Sequence, residues 1–155
     1  MAFPPAPWRL HGELILIPAP LGAIMLADYQ GGTLAYHELI VFRPGARVAH
    51  IYVDSPESQR GGRAIWKLPK ELAEFSWSRD AVEVRQDGRT LFAATIRRRP
   101  GRIPLFIPAP ALGDGKLSVG WLRMRAAPAL VEAHGFGLDG TRLALAGDRM
   151  RLLMP

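Results

Sequence analysis

Fourteen prolines and sixteen glycines punctuate this sequence and leave its apolar residues in short runs. Proline is excluded from helix interiors, and both residue types favour turns, so the punctuation predicts a mainly β chain, a β-rich α+β fold with tight turns. Strands are predicted at 13–17, 33–42, 47–53, 74–78, 81–85, 90–97, 103–107, 116–125, 130–136, 141–145 and 150–153. The alternating run Val82-Glu83-Val84-Arg85 followed by Asp87-Gly88 is a hairpin signal, and Asp139-Gly140 repeats it near the C-terminus. A single short helix is expected at 56–66. Asp54-Ser55-Pro56-Glu57 supplies a cap, a proline for the first turn and an acid, while Gly61-Gly62 weakens the middle and Pro69 stops it. One or two turns, then an extended stretch through Lys70, is the reading.

The chain of 155 residues suits one domain over 1–155, long enough to bury a core without staples. Ile17-Pro-Ala-Pro-Leu-Gly22 and Ile107-Pro-Ala-Pro-Ala-Leu-Gly113 look alike. Their flanks differ, so they are read as two similar strand ends at a barrel rim rather than a duplication. Cysteine is absent, and His11, His37, His50 and His134 never fall at ligand spacing, so no protein-built metal site is expected. The first residues lack a charged head followed by an apolar run, and no apolar stretch approaches the roughly 18 residues of a membrane span. A cytoplasmic location and no membrane partner are the expectations.

A net charge of +6 invites nucleic acid as a partner. The charge is spread along the chain, however, and its one dense cluster, Arg97-Arg98-Arg99-Pro100-Gly101-Arg102, has no aromatic-rich strand beside it. A solvated turn accounts for it, and nucleic acid is not the expected partner. Nucleophile elbows, zinc-protease and phosphate-loop motifs are also missing.

Arginine outnumbers lysine by seventeen to three. An arginine cannot lose its proton near neutrality, a lysine can, and only a neutral amine attacks a carbonyl. Lys67 and Lys70 flank Pro69, with Trp66, Leu68 and Leu72 as apolar neighbours able to hold an amine at a dry wall. From the residues alone, exposure of both lysines on a loop is the simpler account. Arg63 is a candidate clamp for a substrate carboxylate, or an ion-pair partner of Asp54 or Glu57. Glu38 on a strand is more often a paired or outward carboxylate than a working one. Tyr36 and Tyr52 are candidate cavity residues, and Trp66, Trp77 and Trp121 are packing residues of the core or rim.

The segment Gly62-Arg63-Ala64-Ile65-Trp66-Lys67-Leu68-Pro69-Lys70-Glu71-Leu72-Ala73 resembles the Gly-Arg-Glu to Pro-Lys-Lys-Leu segment of the acetoacetate decarboxylase family. Tyr36-His37-Glu38 is similar to that family's Tyr-x-Glu strand, and His50-Ile51-Tyr52-Val53-Asp54 to the strand before its Gly-Arg-Glu helix. Order and spacing agree over about residues 33–78. The resemblance implies an antiparallel, cone-like or partly closed β-barrel around a small apolar cavity. It implies a Schiff-base lysine at Lys70 and a pocket carboxyl group at Glu38; around them, Arg63, Tyr36, Tyr52 and Trp66 are the candidate substrate-binding residues. The implied chemistry is carbon–carbon lyase chemistry on a small carbonyl acid, with no metal or organic cofactor, in a homo-oligomer. A ligand-binding barrel without catalysis is the alternative. The family's second lysine is Glu71 here, and Ala64 stands where the family has a glutamate. An unperturbed lysine is about 0.04% neutral at pH 7. Full burial lowers a lysine pKa by up to ~3–5 units, so dryness alone can supply the activation.

Overall fold

A computed structural model describes residues 3–20, 22–100 and 102–155. The strands are β1 (Trp8–Ala19), β2 (Gly22–Gly32), β3 (Tyr36–Arg43), β4 (Arg47–Val53), β5 (Lys70–Leu72), β6 (Glu74–Trp77), β7 (Ala81–Gln86), β8 (Arg89–Arg97), β9 (Ile103–Leu112), β10 (Leu117–Gly135) and β11 (Leu138–Met154). The helix described is α1 (Pro56–Trp66), between β4 and β5. The mainly β expectation holds. The strands run in the order β11-β1-β2-β3-β4-β9-β10-β8-β7-β6, and β10 also pairs with β11, so seven strands return on themselves. The return is narrow, because β4 meets β9 only at Arg47 and Leu112.

Strands β1 to β3 are buried on both faces. Ile15, Ile17, Ile24, Leu26, Leu39 and Val41 pack against Val82, Val84 and Phe92 of the β7–β8 hairpin. The opposite face presents Leu10, Leu14, Tyr29 and Tyr36, which share a second cluster with Leu122, Met124 and Met150. Double burial explains why β2 is not among the predicted strands. Alternation of apolar and polar residues marks a strand with one wet face, and β2 has none.

Strand β10 runs unbroken through Pro128, where two strands were predicted. One edge of β10 pairs with β9 up to Ala126 and with β8 from Leu130, so Pro128 falls where that edge changes partner and no ladder donor is missed. The proline exit predicted after residue 107 also lies inside a strand. Pro104, Pro108 and Pro110 are part of β9, whose second edge is almost entirely unpaired, and prolines there block edge-to-edge pairing. The Asp87-Gly88 turn is as expected, with φ of 51° and 75°. At the C-terminal hairpin the left-handed pair is instead Phe136-Gly137, and Asp139-Gly140 lies within β11. The outer face of β9 and β10 leaves Phe106, Val119 and Trp121 exposed. Among the described residues, no helix is long and apolar enough to cross a membrane.

The unit β4-α1-β5 departs from the antiparallel plan, since β5 lies parallel to β4, with Ile51 opposite Lys70. A parallel return needs a crossover, and α1 supplies it. Ser55 caps the helix by accepting the Ser58 N–H at 3.1 Å, with Pro56 in the first turn. Lys67, at φ 56°, closes it in the left-handed conformation, and Leu68 N–H returns to Gly62 O at 3.1 Å. The helix is eleven residues long, about three turns rather than one or two. The sequence penalty of Gly61-Gly62 is offset by what those glycines admit.

Candidate active site

Alternation along β3 puts Tyr36, Glu38 and Ile40 on one face, over a cavity of about 70 Å³ that is also lined by Trp8, Leu14, Met25 and Met150. Lys70, the first residue of β5, enters the same cavity from the neighbouring edge. Larger clefts lie elsewhere and are more open, such as the one beside Trp77 and His134. They hold no buried amine.

Lys70 is 2% exposed, Glu38 4% and Ser58 fully buried. Lys70 Nζ lies 3.4 Å from Glu38 Oε2 and donates to Ser58 Oγ at 2.9 Å. Tyr29 donates its hydroxyl to Glu38 Oε1 at 3.1 Å, so the two carboxyl oxygens have separate partners. The amine sits 5.4 Å from the Trp8 ring centre and 5.3 Å from that of Tyr36. Burial pushes the Lys70 pKa down, while the charge and hydrogen bond of Glu38 pull it back up; the net direction is downward. Burial first, and then Glu38, holds the Tyr29 and Tyr36 phenols well above their ordinary range, so both stay protonated.

Space for the amine comes from the helix. A Cβ built on Gly62 would fall 2.5 Å from both Cδ and Cε of Lys70 and 2.9 Å from its Nζ. On Gly61 it would meet Trp8 Cζ2 at 2.5 Å. The two glycines thus form a bare strip under the lysine and the indole.

Of the residues predicted for the site, Lys70, Glu38, Tyr36 and Trp66 all line this cavity. Trp66 also meets Trp8 edge-on at 4.9 Å and donates its indole N–H to Pro155 O at 2.9 Å. Tyr52 does not line it. It pairs with Leu39 on the alternate face of the sheet and stacks near His50 and Phe136 in the other core. Arg63 also lies outside, exposed on α1, and its Nε donates to the Lys70 carbonyl at 2.8 Å. It holds the backbone of Lys70. Lys67 is exposed, and Glu71 points away from the cavity, as alternation in β5 requires. Ser58, Tyr29, Trp8 and Gly62 were not among the predicted site residues. Ser58 and Gly62 are four apart and share a helix face, a signal readable once Lys70 is placed opposite.

Behind Glu38, His37 faces outward between two acids, with Nδ1 2.7 Å from Asp54 and Nε2 3.2 Å from Asp28. The Asp54 hydrogen bond raises the His37 pKa. Burial pushes Asp54 up, but the His37 hydrogen bonds and charge outweigh it and the net shift is downward. The stability from raised His37 is complete below its ordinary value of 6.5 and is lost as pH climbs through the folded value. That from depressed Asp54 holds above 3.8 and is lost as pH falls through its folded value. Wild type should therefore exceed His37→Gln by about 1 kcal/mol near pH 6, after screening, and by less at pH 8.5. Urea unfolding of both proteins at the two pH values measures this, and a constant difference would refute it.

The match to a family model covers residues 10–106, and that model is described as acetoacetate decarboxylase. Among solved structures, acetoacetate decarboxylase from Legionella pneumophila superposes with a TM-score of 0.60 at 15% identity, over 100% of this chain and 87% of that one. Another, described as "Structural Studies of Acetoacetate Decarboxylase", gives 0.61 at 12% identity, over 98% of this chain and 88% of that one. At such identities the superpositions speak for the fold. No curated protein matches the sequence. With its family match spanning β1 to β9 and a fold shared with two solved relatives, this chain belongs to the acetoacetate decarboxylase family.

Proposed function

We propose that the protein is an imine-forming carbon–carbon lyase that acts on a small β-keto acid or a related carbonyl compound through Lys70. The observation that carries this reading is an amine 2% exposed in an apolar cavity, within 3.4 Å of a buried carboxyl group. Dryness favours the neutral amine, the form that attacks a carbonyl carbon. Loss of water then leaves a protonated imine, a cation conjugated to the bond that must break. That bond's electron pair flows into the imine as carbon dioxide or another electrophilic fragment departs. The enamine is protonated on carbon and hydrolysed, which frees Lys70. In this reading Glu38 moves the protons, and its contact with Tyr29 and that of Lys70 with Ser58 support the role by holding the carboxyl group and the amine in register.

Borohydride reduction in the presence of acetone or acetoacetate tests this directly. A stable adduct on Lys70, located by peptide mass, is expected, together with its loss in Lys70→Arg, whose guanidinium cannot be deprotonated. Ketone binding without any reducible adduct in the wild type would leave a binding cavity and remove the lyase.

A further inference from the structure

Among the described residues lining the cavity, Lys70 is the one cation and Glu38 the one acid, and most of the remaining wall is aliphatic or aromatic. Arg63, a candidate clamp for a substrate carboxylate, is outside and engaged with the Lys70 carbonyl. A β-keto acid would therefore bring a second carboxylate into a dry volume whose single positive group already faces Glu38 at 3.4 Å. Burying an ion without a partner of its own is strongly unfavourable, and two acids around one cation repel. Glu38 is meanwhile well held. Tyr29 donates to its Oε1 and Lys70 lies against its Oε2, an arrangement that suits a proton acceptor. Breaking a C–C bond by loss of carbon dioxide involves no O–H proton, whereas breaking one beside a hydroxyl does.

Resting on the reading of Lys70 above, we infer that the substrate class of this cavity is uncharged β-hydroxy ketones with short alkyl ends, cleaved by a retro-aldol step. With 4-hydroxypentan-2-one, the Lys70 amine adds to the ketone and water leaves, giving the protonated imine. Glu38 takes the hydroxyl proton as the bond between C3 and C4 breaks. The pair of that bond becomes the double bond of the enamine, neutralising the imine nitrogen, and acetaldehyde departs. The terminal enamine carbon takes the proton back from Glu38. Water hydrolyses the resulting imine to acetone and restores Lys70. A cavity of about 70 Å³ holds roughly five to seven non-hydrogen atoms, at about 10–15 Å³ per water-sized occupant. This substrate has the same number of non-hydrogen atoms as acetoacetate, so the two compounds differ in charge rather than bulk.

The test compares kcat/KM of the full chain for 4-hydroxypentan-2-one and for acetoacetate, with products followed by proton NMR. The hydroxy ketone should be preferred by about tenfold or more, the scale of one unfavourable charge contact. Glu38→Gln should reverse the order. The amide cannot accept the hydroxyl proton, which lowers retro-aldol cleavage by about a hundredfold or more, while acetoacetate decarboxylation, which breaks no O–H bond in its carbon–carbon step and is relieved of the repelling charge, falls by less than about tenfold. If the variant does not fold, the wild-type ratio decides alone. Acetoacetate turned over as fast as the hydroxy ketone, or faster, would overturn the uncharged class and leave Lys70 as the imine-forming residue. Absence of turnover and of borohydride-trapped adduct with either compound would overturn both.

Discussion

Gly62→Ala should lower borohydride trapping at Lys70 by about a hundredfold while costing no more than about 2 kcal/mol of stability. The residue lies in mid-helix, where alanine is favoured over glycine by about 1 kcal/mol. Propensity alone thus predicts a stabilised protein. Against it stands a Cβ 2.5 Å from Lys70 Cδ and Cε, roughly 1 Å inside ordinary contact. The lysine end is flexible, but it lies against Trp8 and Tyr36 and is held by Ser58 and Glu38, so moving it aside breaks those contacts. Displacement by about 1 Å is enough to misplace a nucleophile. Ala64→Gly, on the exposed side of the same helix, is the contrasting change: it should cost about 1 kcal/mol and leave trapping intact. Wild-type trapping in Gly62→Ala would show that the bare strip is not what positions the amine.

How much of this was readable beforehand depends on which physical rule governed each segment. The helix start was legible because Ser55-Pro56-Glu57 carries its own cap and first turn. Glycine at 61 and 62 looked like weakness, since propensity is local and the groups these residues admit are distant in sequence. Tyr36 and Glu38 share a face by alternation, which a strand pattern shows. The same rule turns Tyr52 into the other core, but that requires the register of β4 on β3, which no single segment reveals. Strand β2, and Tyr29 with it, was hidden because both of its faces are buried. Pro108 and Pro110 of β9 and Pro128 of β10 looked like chain breaks, whereas each sits where a ladder donor has no partner to serve. Lys70 was suspected on its rarity and on family resemblance, and its burial is a tertiary fact supplied by α1 crossing over β5.

Lys70→Met should cost about 3–5 kcal/mol near neutral pH, and Lys70→Met/Glu38→Gln should recover most of that loss. The single change removes the amine and leaves the Glu38 carboxyl group buried with Tyr29 as its one side-chain hydrogen-bond partner among the described residues. Glutamine keeps an oxygen for the Tyr29 hydroxyl without the charge, so the double variant replaces a buried pair by neutral groups of similar shape. The two proteins also separate on pH. The folded pKa of Lys70 is depressed, so between that value and the ordinary 10.5 the unfolded chain binds more protons than the folded one. Wild-type stability should accordingly climb with pH across that window, with the penalty for charging the buried amine fully present below it. Above about pH 10 the raised phenols of Tyr29 and Tyr36 act in the opposite sense, because the unfolded tyrosines ionise first. Urea unfolding at pH 7 and 9.5 should show the Lys70 gain in wild type and its absence in the double variant. Equal slopes in both would mean that the buried amine carries the same charge folded as unfolded, and the neutral nucleophile would have to be abandoned.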